Sequence, residues 1–136
     1  MGCSRGCRVV ISPWAVIMAV GLGAEVCLGG AWQDGLAVLL AIVLHETGHA
    51  VAALAWGVGI GEVRLDLPGA RMELEGMVSY GGEWVIAAAG PLVNLLTVPL
   101  AWGWWTEHPS SFAAALGGAS LALGCLNLLP VGTLDG

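Results

Sequence analysis

His45, Glu46 and His49 sit in the heptapeptide Leu44-His45-Glu46-Thr47-Gly48-His49-Ala50, inside an otherwise apolar run from Leu36 to Trp56. On a helix, residues four apart share a face, so His45 and His49 can present two imidazole nitrogens to one cation. Glu46 follows about 100° round the helix, where its carboxylate can serve as the general base of a hydrolytic metal centre. The plain alternative is a pair of helix histidines with no metal, since HExxH is a short pattern. A bilayer-length apolar run weakens that alternative, because ionisable groups at membrane depth are costly and mark function by default.

A catalytic zinc takes three protein ligands and keeps one position open. The third candidate is Asp135, in the stretch Asn127-Leu128-Leu129-Pro130-Val131-Gly132-Thr133-Leu134-Asp135-Gly136. Pro130 and Gly132 do not sustain a regular helix, and interrupted backbone at membrane depth is tolerated where it lines a polar cavity. Taken alone, Asp135 also reads as an interfacial aspartate that ends a helix. The histidine–carboxylate set favours zinc, one ion per chain, over other divalent ions. The four cysteines are read as free thiols: Cys27 and Cys125 lie in apolar runs, and no second Cys/His pair accompanies Cys3 and Cys7.

The elements that must carry these residues are those of a membrane protein. Hydrophobic residues make up 57% of the chain and charged ones only 10%, against about a quarter charged in a soluble domain. The expected class is an all-α polytopic membrane protein, one domain over 1–136, with about four transmembrane helices at 13–30, 36–56, 83–105 and 112–129. Residues 1–11 read as a short tail, and Asp34 as an N-cap of the second span. Between the second and third spans Val63, Leu65 and Leu67 alternate with polar residues, Pro68-Gly69 offers a turn, and Met72 and Leu74 alternate again. That pattern predicts a β-hairpin over 62–80. It reads equally as a hairpin resting on the membrane and as an edge that pairs with an extended substrate segment. In the third span, Ala87 to Gly90 suit close helix contact, Pro91 disturbs the helix, and Asn94 reads as interhelical glue.

The formal charge of −6 excludes a basic nucleic-acid face. With a cytoplasmic N-terminus, Arg5, Arg8, Arg64 and Arg71 all fall on the cytoplasmic side, as the positive-inside rule asks. All seven tryptophans fall near span ends, where aromatic belts sit. The chain is therefore expected as a multi-pass protein of the cell membrane, with the lipid bilayer as its surroundings.

Three stretches resemble the signatures of the site-2 protease family of intramembrane zinc metalloproteases, in family order: His45-Glu46-Thr47-Gly48-His49, Gly90-Pro91-Leu92-Val93-Asn94, and Asn127-Leu128-Leu129-Pro130 through Leu134-Asp135-Gly136. The resemblance implies zinc on His45, His49 and Asp135, with Glu46 as the base. It also implies that Asn94 and Asn127 help shape the substrate site, and that the substrate is a transmembrane helix of another membrane protein. The short 57–82 stretch leaves no room for an inserted PDZ domain, which points to the compact branch of the family. The chain stops at Gly136, directly after the third ligand, and so reads as a C-terminally truncated member. Two rivals stand beside the protease: a non-catalytic family member that binds membrane partners, and a metal transporter, which lacks the further intramembrane polar residues that a pathway needs.

Overall fold

The computed structural model describes residues 8–11, 16, 20–21, 24, 29, 32–66, 69–75 and 79–128. In chain order these form β1 (Arg8–Ile11), α1 (Trp32–Ala55), β2 (Gly59–Asp66), β3 (Gly69–Glu75), α2 (Tyr80–Glu107) and α3 (Ser111–Asn127).

The expected all-α class with four spans is corrected on two counts. First, the chain carries a three-stranded sheet in the order β1-β2-β3, not a lone hairpin over 62–80. Arg8–Ile11, expected as tail, runs parallel to β2, from Arg8 beside Glu62 to Ile11 beside Leu65. β2 pairs antiparallel with β3, from Asp66 beside Gly69 to Gly59 beside Glu75, with an irregularity between Ile60 and Glu62. β3 ends at Glu75, and Tyr80 already opens α2. Second, among the described residues only α1 and α2, of 24 and 28 residues, are long and apolar enough to cross a membrane. α3 has 17 residues, and most of the expected 13–30 span lies outside the described residues.

The buried stripes of the helices are made mostly of small residues, while many large apolar ones are exposed. α1 buries Ala37, Ala41, His45, Gly48, His49 and Ala53, a stripe with the three-to-four spacing of one helix face. α2 buries Gly82, Ile86, Gly90, Pro91, Asn94 and Ala101, and α3 buries Ala113, Leu116, Ser120 and Gly124. Leu96 and Leu100 are 67% and 73% exposed. Such an inversion suits a lipid solvent, where apolar side chains gain nothing by turning inward and association rests on close backbone packing. Gly48 shows how close: a Cβ there would lie 2.7 Å from the Ala89 carbonyl oxygen and 2.9 Å from the Gly90 Cα.

Helix ends follow local chemistry. Asp34, expected as an N-cap, lies inside the first turn of α1, where a carboxylate complements the helix dipole. At the other end of α1, Gly57 takes φ +72°. Its N–H donates to the Leu54 carbonyl, and the Val58 N–H donates to the Ala53 carbonyl at 2.9 Å, the bond pattern of a Schellman cap. Val58 then packs with Ala53 and Ile86, which ties the end of α1 to α2 and turns the chain into β2. Ser79 and Ser110 cap α2 and α3, their hydroxyls accepting from the Gly82 and Ala113 N–H groups.

Candidate metal centre

His45 and His49 lie on the buried stripe of α1, 5% and 9% exposed. His45 is about 20 Å from the start of that helix at 1.5 Å per residue, near its middle. The i, i+4 spacing brings the two rings edge to face, centroids 4.8 Å apart, with their Nε2 atoms 3.2 Å from each other. Gly90 of α2 makes room for this. A Cβ at that position would overlap the His49 ring, with Cδ2 and Cε1 both 2.7 Å away and Nε2 nearer still.

The His49 ring is oriented by backbone. Its Nδ1 lies 2.7 Å from the Ile86 carbonyl oxygen. A carbonyl only accepts, so Nδ1–H donates, and in the neutral ring Nε2 keeps its lone pair. An outer bond of this kind fixes ring and tautomer for a metal ligand. On the other side, the Asn94 amide nitrogen is 3.4 Å from His45 Nδ1. Asn94 is fully buried, and among the described residues no donor reaches its Oδ1.

Glu46 is half-buried on α1 beside His45. Asn127 ends α3 with its amide turned to its own helix, donating to the Leu123 carbonyl at 3.0 Å. Asp135 lies outside the described residues. The structure thus brings together His45, His49 and Asn94, and among the described residues no group of three His, Cys, Asp or Glu side chains forms a complete ligand set. Two buried imidazoles with converging Nε2 atoms, one of them tautomer-locked, fit zinc as two of its nitrogen donors. Sequence reasoning missed the Ile86 carbonyl and the part played by Gly90. The small-residue run from Ala87 to Gly90 signalled a close approach, though not that an imidazole fills it.

Fold and site together define a bundle of apolar helices that encloses a histidine pair at mid-helix, with a small sheet beside it. All of the chain matches 66% of the site-2 protease from Methanocaldococcus jannaschii, with a TM-score of 0.79 and 23% sequence identity. The chain has the site-2 protease fold. It is also similar to a candidate zinc metalloprotease of Synechocystis sp., 34% identical over an alignment of 118 positions that covers 79% of this chain and 31% of that protein. The chain therefore spans about a third of that curated relative's length. No family model matches the chain. The resemblance to site-2 proteases read from the three motifs accordingly stands at the level of fold, beside one metalloprotease relative, and the apolar helices mark a membrane protein.

Proposed function

We propose that this chain is the core of an intramembrane zinc metalloprotease of the site-2 type, which hydrolyses peptide bonds in transmembrane segments of other membrane proteins. The observation that carries the reading is the pair of buried Nε2 atoms 3.2 Å apart, set in the middle of a helix apolar enough to cross a membrane. His45 and His49 would hold the zinc from α1, with Asp135 as third ligand. Zinc, when bound, activates water at neutral pH and polarises a carbonyl. Glu46, one residue from His45, takes the proton from the attacking water and returns it to the leaving amine. The apolar helices exclude bulk water from this chemistry, and the substrate helix unwinds locally to expose its peptide bond. The N-terminus is cytoplasmic and the protein multi-pass in the cell membrane, with the bilayer and a membrane-protein substrate as its partners.

The test is Glu46→Gln. The variant is expected to keep the wild-type zinc content of the detergent-purified chain while cleavage of a co-expressed membrane substrate falls by about 10²–10⁴-fold, the range of a lost general base. Retained cleavage would remove Glu46 from the mechanism, and a wild-type chain without zinc would sink the metalloprotease reading.

A further inference from the structure

The Asn94 carboxamide lies against His45 Nδ1, and its oxygen is buried without a hydrogen-bond partner. As the side chains stand, Nδ2 faces His45 Nδ1 at 3.4 Å. The two ends of the carboxamide differ in role, Nδ2 donating and Oδ1 accepting, and the His45 and His49 Nε2 atoms lie 3.2 Å apart. For both imidazoles to hold one cation, both Nε2 atoms must offer lone pairs, so His45 must carry its proton on Nδ1, where an acceptor completes it. The unpartnered, buried Oδ1 of Asn94 is such an acceptor. Half a turn about the Cβ–Cγ bond exchanges Nδ2 and Oδ1 in nearly the same volume.

We propose that Asn94 is a positioning residue that sets the tautomer of His45, its carboxamide oxygen accepting from Nδ1–H when the histidines hold zinc. The inference rests on the metal centre proposed above and extends it. A carboxamide is suited to this place because it offers a donor and an acceptor of similar shape on one rotor. A hydroxyl in its place would be too short, and a leucine would offer neither. Asn94 also comes from α2 while His45 belongs to α1, so the same bond couples ligand readiness to the packing of the two helices. His49 needs no such device, since the Ile86 carbonyl accepts from its Nδ1–H.

The experiment measures zinc affinity of the full chain in detergent by competition with a chromophoric chelator. Asn94→Leu, which fills the space without an acceptor, is expected to weaken zinc binding about 10–100-fold, the effect of losing an outer-shell partner. Asn94→Asp, which keeps an acceptor, is expected to retain wild-type affinity. Unchanged affinity in Asn94→Leu would overturn the inference, as would equal losses in folded Asn94→Leu and Asn94→Asp. Imidazole ¹⁵N spectra of the zinc-loaded wild-type chain give an answer that depends on no variant. A proton on His45 Nδ1, correlated across its hydrogen bond to the Asn94 carboxamide, is expected, and a proton on Nε2 would overturn the assignment. A wild-type chain that binds no zinc would overturn the metal-centre reading itself, which separates that failure from a failure of Asn94's part.

Discussion

The two histidines depend on neighbours of different kinds. His49 leans on a backbone carbonyl at 2.7 Å, which no side-chain substitution removes, and its ring lies over a residue with no side chain. Gly90→Ala therefore attacks it sterically. The methyl group would meet the imidazole within 2.7 Å, and neither the ring, tied to Ile86, nor the facing backbone yields easily. We expect Gly90→Ala to lose zinc at least as severely as an outer-shell deletion, about 10–100-fold in affinity. Gly81→Ala, where nothing lies within 4 Å, should match the wild-type chain in the same competition assay. Equal affinity in both variants would show that the ring moves freely. The spacing of His45 and His49 was legible because it is local, written four residues apart on one helix. The Ile86 carbonyl was not, because any residue has a carbonyl and 37 residues separate it from His49.

At the scale of elements, the exit from α1 decides where the sheet begins and how α1 meets α2. Gly57 holds φ +72°, yet a Cβ added there meets nothing within 4 Å, so its contribution is conformational and not one of space. Gly57→Ala should cost about 1–2 kcal/mol, the penalty of a left-handed L-residue, seen as a lower midpoint in thermal unfolding followed by tryptophan fluorescence in detergent. Gly57→Asn should cost less, because asparagine visits that region more readily. If the two variants unfolded together at the wild-type midpoint, the cap would contribute nothing to stability. The alternation around Pro68-Gly69 showed β2 and β3 beforehand, because period two is a local signal. β1 gave no such sign. Its four residues adjoin an apolar stretch, and its parallel pairing with Glu62 to Leu65 is a contact across more than fifty positions, specified by the partner and not by the segment.

Across the described helices the distribution of volume is inside out relative to a soluble protein, and a pair of substitutions tests what solvent that implies. Ala41 is fully buried with Ala37, Ala101 and Leu116, and Phe112 and Ala119 close around them. A leucine there has nowhere to go without parting α1 from α2 and α3, so Ala41→Leu should cost about 1–3 kcal/mol of overpacking. Leu96 is 67% exposed and lies near the middle of α2. If that face met water, Leu96→Arg would be silent, as surface changes usually are. If it meets hydrocarbon, the guanidinium sits close to the bilayer centre and costs about 2.5–3.5 kcal/mol of insertion. We expect the second outcome, measured as a smaller fraction of Leu96→Arg than of wild type or Leu96→Ala left in membranes after an alkaline carbonate wash. The contrast separates two kinds of damage: Ala41→Leu should insert normally but unfold at lower temperature in detergent, whereas Leu96→Arg should fail at insertion. A normal membrane fraction for Leu96→Arg would place that face of α2 against water and not hydrocarbon, and the mid-helix histidines would then no longer be at membrane depth.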